Sequence, residues 1–168
     1  VIVGKVSPVE LTFAFSTTSV DATVGLNVTV GEVVELAALV RLPEGHANIS
    51  LVFQLPADTN GVALFDDLSV VILDVGSSID SESVQLSAPT QGVDANNNLT
   101  ATVSLGVVAN IHDGTKDDQD VLSVGLRFRV ADVAEVAHGT HITLGGAMLV
   151  VPASTHAGVP LDVPELWM

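Results

Sequence analysis

The densest group of side chains with a capacity for chemistry lies in an acidic loop, defined as Asn110 to Asp120. Four carboxylates fall close together there, at Asp113, Asp117, Asp118 and Asp120. Calcium binds about six to eight oxygen ligands, often from flexible acidic loops, and Asp66 and Asp67 could add two more if the fold brings them near. The spacing lacks the terminal glutamate of an EF-hand loop. A calcium site and a solvated acidic loop therefore both remain open.

Three N-x-Ser/Thr sequons offer possible sites for glycans. They begin at Asn27, Asn48 and Asn98, and none has proline in its middle position. Each falls at the edge of a predicted strand or in a loop, where a glycan could extend into solvent. A glycosylated surface protein would have such sites, but a strand protein rich in threonine would also acquire some by chance. Both interpretations remain open.

Catalytic signatures are missing from the sequence. There is no G-x-S-x-G elbow, P-loop, H-E-x-x-H helix or dinucleotide fingerprint. Sugar-binding sandwiches usually offer aromatic platforms, and this chain has only five phenylalanines, one tryptophan and no tyrosine. We therefore predict no enzyme and no cofactor other than possible Ca²⁺, and keep a calcium- or carbohydrate-binding module as the alternative function.

The charge balance restricts the partners. The chain has 20 acidic residues against five lysines and arginines, a formal net charge of -15. Such a surface repels nucleic acid and anionic lipid, so we predict neither nucleic-acid binding nor membrane insertion. It would keep an exported protein soluble, because like charges oppose precipitation. The absence of cysteine fits a domain of 168 residues that needs no disulfide to hold its core.

The elements that must position these residues are strands. Apolar residues alternate with polar ones along the chain, as in Leu122, Val124, Leu126, Phe128 and Val130. We predict strands at Val9–Phe15, Val33–Leu42, Asn48–Leu55, Leu68–Val75, Ser83–Ser87, Leu99–Val107, Val121–Val130 and His141–Val151. Turns are predicted at Pro43-Glu44-Gly45, Asn60-Gly61, Gly92 and Asp113-Gly114, among others. Ala131–Ala137 is either a helical turn or a loop.

These strands predict an all-β fold, an immunoglobulin-like antiparallel β-sandwich of about seven to nine strands with extended terminal segments. Residues 1–151 would form the sandwich domain. Residues 152–168, with three prolines, would form an extended C-terminal arm anchored by Leu166 and Trp167.

Two stretches resemble a known family. The first runs Thr29-Val30-Gly31-Glu32-Val33-Val34-Glu35-Leu36, then Leu42-Pro43-Glu44-Gly45, Asn48-Ile49-Ser50 and Leu55-Pro56; the second runs from Leu105-Gly106-Val107 through Asp117-Asp118 to Phe128-Arg129-Val130-Ala131-Asp132-Val133. Their order and spacing are similar to the immunoglobulin-like conserved repeat domain of large surface and adhesin proteins. The resemblance covers about residues 16 to 151, although Glu35 stands where that pattern usually has an aromatic residue.

The resemblance implies a non-catalytic extracellular module, either a tandem surface-protein repeat or a filament-forming subunit. Its partners would be neighbouring copies or adjacent domains of the same surface protein, in a homo-oligomer or a tandem array. Assembly would use strand edges and termini, in which one chain adds a strand to the sheet of another. The candidate residues for this role are Val9, Leu11, Phe13, Phe15, Leu166 and Trp167.

Overall fold

The computed structural model describes residues 10–19, 28–57, 62–132, 141–143, 147–150 and 165–167. These residues contain ten strands, which are β1 Glu10–Thr18, β2 Val33–Arg41, β3 Gly45–Gln54, β4 Phe65–Val75, β5 Thr90–Val93, β6 Leu99–Asn110, β7 Val121–Val130, β8 His141–Thr143, β9 Ala147–Val150 and β10 Glu165–Trp167. Single 3-10 turns occupy Ser81–Ser83 and Asp118–Asp120. In the part of the chain described here, no helix is long and apolar enough to cross a bilayer.

Eight of the strands form two four-stranded sheets. The order is β1-β2-β7-β4 in the first sheet and β5-β6-β3-β9 in the second, while β8 and β10 form a separate antiparallel pair. All strand pairs are antiparallel. The predicted all-β antiparallel sandwich is therefore confirmed, and its two main sheets have a number of strands within the predicted range.

The core lies between the two sheets and consists mainly of valine and leucine. The five alternating apolar residues of β7 are each at most 1% exposed, as are Ile49, Leu51 and Phe53 of β3. Burying one such side chain contributes roughly 1.5–3 kcal/mol. Phe65 and Phe128 pack edge to face, with ring centroids 6.0 Å apart. The period-two pattern thus fixes which face of each strand points inward.

The predicted strand at Ser83–Ser87 is wrong. A 3-10 turn ends at Ser83, and the edge strand β5 forms farther along, at Thr90–Val93. The backbone N–H groups of Gln85 and Ser87 donate to backbone carbonyls of β6. The N–H of Ser104 on β6, however, donates to the Ser87 hydroxyl at 2.9 Å and not to a backbone carbonyl of this segment. Because a side chain takes the place of the backbone carbonyl, the regular ladder is interrupted.

Two further expectations need correction. Gly92 lies inside β5 rather than in a turn, and the chain reverses after it at Asp94–Asn97, where Asn97 adopts a positive φ of 64°. The predicted strand His141–Val151 is two short strands with different partners, since β8 pairs with β10 and β9 pairs with β3. Gly45, at the start of β3, and Gly114 both have positive φ, the backbone conformation that the predicted turns at these glycines would use. Asn60-Gly61 and most of Ala131–Ala137 lie outside the described residues.

Candidate functional site

The acidic loop connects β6 to β7 and is ordered by its own carboxylates. Asp117 caps the 3-10 turn by accepting a hydrogen bond from the N–H of Gln119 at 2.8 Å. Asp120 completes a capping box, because its Oδ2 accepts from the N–H of Asp117 at 3.0 Å. Both predicted calcium ligands therefore already serve as hydrogen-bond acceptors for the backbone of this turn.

Asp120 also extends the loop into the end of the sandwich. It is 1% exposed, and its Oδ1 accepts a hydrogen bond at 3.0 Å from the amide of Asn110, which is 4% exposed. The same amide donates to the carbonyl of Leu42 at 3.2 Å. A carboxylate this deeply buried is tolerated only with such donors, because desolvation of an unpaired charge is costly.

Asp113 and Glu44 hold the other half of the loop. Asp113 accepts from the N–H of Thr115 at 2.8 Å and from the Ser78 hydroxyl at 3.1 Å. Glu44, in the turn between β2 and β3, accepts from the N–H of Gly114 at 2.6 Å and contacts Nδ1 of His112. The loop is thereby attached to a turn about 70 positions earlier in the chain.

Two ion pairs fasten the loop to the first sheet. Nζ of Lys116 lies 2.5 Å from Oε1 of Glu10 on β1, and Nη2 of Arg41 on β2 lies 2.8 Å from Oδ1 of Asp118. The sequence separations are 106 and 77 positions. Together with Glu44, these contacts join the acidic loop to one end of the β1–β2 strand pair, where Glu10 lies opposite Arg41.

Several carboxylates in these loops are stabilised in the charged form. The pKa of Asp113 lies below its ordinary value because Thr115 donates to it through its hydroxyl and its N–H. The pKa of Glu10 is lowered first by the hydrogen bond from Lys116. Burial acts to raise the pKa of Glu44, but hydrogen bonds from the Gly114 N–H and from His112 outweigh it, so the net shift is downward.

These contacts bear on the predicted calcium site. Among residues whose placement is described, no group of three or more acidic, histidine or cysteine side chains is arranged to hold a metal ion. Asp66 and Asp67 are too far away to contribute, because they lie beside Arg129 at the other end of β7. The ten residues of β7 span roughly 30 Å at about 3.3 Å per residue. Calcium binding by Asp113, Asp117, Asp118 and Asp120 remains an open interpretation of the acidic loop, beside that of a solvated loop.

The described sequons differ in their surroundings. Asn48 is exposed on β3, opposite Val107 of β6. Asn98 is half-buried, and its Nδ2, the atom that would bear a glycan, donates to Asp94 Oδ2 at 2.9 Å. Asn27 lies outside the described residues. Asn48 is thus the more open of the two described sequons.

The predicted assembly residues lie in strands paired within the chain. Leu11 on β1 is half-buried and packs against the core, and the backbones of Phe13 and Phe15 pair with Ala38 and Leu36 of β2. In β10, Leu166 pairs with Ile142 and Trp167 with His141. Val9 lies outside the described residues.

Glu35 is among the polar residues that sequence reasoning missed. Glu35 is 6% exposed although it points away from the core, and its carboxylate accepts from Nε of Arg127 at 2.5 Å and from the Ser16 hydroxyl at 2.8 Å. Ser16 reaches it from a bulge in β1, at the register shift between Phe15 and Thr17. Neither the bulge nor the strand order could be read from the sequence. The departure of Glu35 from the family pattern was the one available signal.

An open groove of ≈ 490 Å³ crosses the outer surface of the first sheet near the acidic loop. Its lining includes Arg41 and Asp118, which pair with each other, and Glu10, which pairs with Lys116. A hydrolytic site would need a nucleophile beside a general base. The groove has two hydroxyl groups, from Thr12 and Ser123, and the carboxylates of Glu10, Asp74 and Asp118 in its lining.

Comparison with known proteins does not assign the chain to a family. No family model matches the chain, and no curated protein matches it. The fold itself defines the class, an all-β antiparallel sandwich. The resemblance to the immunoglobulin-like repeat domain remains a prediction.

Proposed function

We propose that this protein is a non-catalytic structural module of an extracellular surface, either one repeat of a tandem array or the subunit of a filament. The observation that supports it is the use made of polar side chains. In the acidic loop and in the neighbouring strands, they connect segments 68 to 106 positions apart. Such contacts resist separation of the strands and leave few groups available for chemistry.

The two edges of the first sheet differ in how readily another chain could pair with them. β4 forms one edge, and its register is broken twice, near Asp67 and near Leu73. Three aspartates also lie on this strand, at Asp66, Asp67 and Asp74. Bulges and charges of this kind prevent another strand from adding to an edge. We therefore expect exchange at the opposite edge, where β1 pairs with β2.

In this version β1 from one copy occupies the place of β1 in the next. The intrachain pairing has eight register pairs, so an exchanged strand would recover the same backbone hydrogen bonds. The Lys116–Glu10 contact would then join two copies. Main-chain hydrogen bonds would supply affinity and the alternating side chains of β1 would supply register.

The test compares the full chain with a variant lacking residues 1–15. We expect the full chain to assemble and the shortened chain to remain unassembled, with its β-sheet circular dichroism retained and with binding of an added peptide of residues 1–18. A variant lacking residues 152–168 is the matched control for removing a terminus. Continued polymerisation of the chain without residues 1–15 would contradict strand exchange.

Location at the surface requires a separate measurement. Antibodies against the folded chain should label intact cells of the native source without permeabilisation. Labelling that needs permeabilisation would contradict the extracellular role, whatever the outcome of the assembly experiment.

A further inference from the structure

The outer surface of the first sheet has an apolar centre. Strand alternation places Ala37 and Leu39 of β2 outward, next to Gly125 of β7 and to Val71 and Leu73 of β4. Leu39 and Leu73 are each 37% exposed. Leu73 lies across Gly125, since a Cβ at that glycine would be 3.0 Å from Leu73 Cδ2. The centre is therefore apolar and open to a partner.

Charged rows border this centre at both ends of the strands. At one end lie the Lys116–Glu10 and Arg41–Asp118 pairs. At the other end Arg127 pairs with Glu35, and Arg129 pairs with Asp67. We call this surface, which consists of the apolar centre and its two charged rows, the paired-charge face.

The charge of the paired-charge face differs from that of the remaining chain. It contains four of the five lysines and arginines, at Arg41, Lys116, Arg127 and Arg129. Six acidic residues accompany them, at Glu10, Glu35, Asp66, Asp67, Asp74 and Asp118. Four positive and six negative charges give -2, so the remaining chain has -13 of the net -15. Two copies repel each other least where these faces meet.

We propose that the paired-charge face binds the same face of a second copy of this chain, forming a closed dimer. Since the four strands are about 4.8 Å apart and about 30 Å long, the face of the sheet has an area of roughly 570 Å² in each copy. Two such faces would bury roughly 1,100 Å², just above the roughly 1,000 Å² that a specific interface needs. The rows of mixed sign can pair across the interface, and a face that binds its own copy closes after two chains.

This dimer does not depend on strand exchange, because it uses the surface of the sheet rather than its edge. The test is sedimentation of the full chain over a wide range of concentration, with Leu39→Asp/Leu73→Asp as the variant. The control Val93→Asp/Val107→Asp adds equal charge at exposed positions of the second sheet. Thermal melting of all three proteins verifies that each is folded.

We expect a dimer, at twice the 17.3 kDa of one chain, to be the smallest species of the wild-type chain, with any larger assemblies built from it by strand exchange. The control should behave in the same way, whereas the folded Leu39/Leu73 variant should show the single chain as its smallest species. A folded wild-type chain that stays monomeric at every concentration overturns the proposal, as does a Leu39/Leu73 variant whose smallest species is still the dimer. If removal of residues 152–168 turns a monomer into a dimer, the chain's own arm occupies the face, and the proposal is again overturned. A monomer that still labels at the cell surface would leave the proposed function standing.

Discussion

Nζ of Lys116 in the acidic loop lies 2.5 Å from Oε1 of Glu10 at the start of β1, across 106 positions of sequence. This contact joins the first described strand to the loop that precedes β7. Replacing Lys116 with glutamine should loosen the beginning of β1, because Glu10 loses its charged partner while the β1–β2 ladder remains. Amide hydrogen exchange of residues 10–18 should become faster, with little change in β3 and β6.

The matched control for this change is Lys116→Arg, which keeps a positive charge at the same position. Exchange of β1 should then stay close to that of the wild-type chain. Equal protection of β1 in Lys116→Gln and in the wild type would mean that the ion pair does not hold the strand.

The buried Glu35 predicts a larger effect on global stability. Arg127→Met removes the guanidinium that lies 2.5 Å from the carboxylate and leaves a charge that is only 6% exposed. Breaking a fully buried pair costs about 3–5 kcal/mol, but Arg127 is half-exposed, so water reduces the loss to roughly 1–3 kcal/mol. Urea unfolding measures this difference.

Arg129→Met provides the comparison, since Asp66 and Asp67 are exposed and regain water when their partner is lost. Its cost should stay below about 1 kcal/mol. If the two arginine variants were equally stable, burial of Glu35 would not determine the energetics of its pair.

The loop after β5 should make stability dependent on pH in the acidic range. The pKa of Asp94 lies below its ordinary value of 3.8, chiefly because the side chain and the N–H of Asn98 donate to it. Since the folded-state pKa is lower than the unfolded one, the contribution is complete above the unfolded pKa and is lost as pH falls through the folded one. The difference in melting temperature between wild type and Asp94→Asn should therefore be largest near neutral pH and shrink in acid.

Asp132→Asn removes the same formal charge from an exposed position just after β7 and controls for the change in net charge. A wild-type advantage over Asp94→Asn that is the same in acid and at neutral pH would show that the Asn98 hydrogen bonds do not stabilise the charged carboxylate.

Much of the fold could be predicted because burial follows period two. The inward residues of β7 and the existence of strands β2, β3 and β6 follow from that alternation. The strand at Ser83–Ser87 was predicted wrongly, because alternation does not reveal when a serine hydroxyl replaces a backbone acceptor. Strand order was also hidden, since pairing of β2 with β7 joins residues about 90 positions apart.

The site was harder to predict than the fold. Sequence proximity identified the acidic loop, but not that Asp120 is buried against Asn110 or that Asp117 caps a turn. Nor could proximity show that Lys116 meets Glu10. Such roles depend on tertiary contacts, which composition and spacing do not determine.

The backbone N–H groups that donate to the aspartates of the acidic loop allow a prediction of its response to calcium. Ligation by Asp113 or Asp117 would compete with hydrogen bonds that already order the loop. We expect titration calorimetry with calcium to give no saturable heat, and the melting temperature to be the same in calcium and in chelator. Binding would instead raise stability, by about 2.7 kcal/mol at a hundredfold excess over Kd. A saturable heat abolished by Asp113→Asn/Asp117→Asn would restore calcium as a ligand.

The approach of the chain after β4 to the acidic loop leaves no room for a side chain at Gly76. A Cβ there would lie 2.1 Å from the carbonyl oxygen of Gln119, a backbone atom that cannot rotate away. The Gly76 N–H also donates to Val121 at 2.8 Å, so the two segments cannot separate without losing that bond. Gly76→Ala should cost about 2–3 kcal/mol, a typical penalty for forced backbone shifts, and lower the melting temperature by roughly 4–12 °C.

At Gly92 the nearest atom to an added Cβ is 3.8 Å away, so Gly92→Ala should change stability by less than about 0.5 kcal/mol. Equal melting temperatures for the two alanine variants would mean that the loop is not packed against β4 in this way.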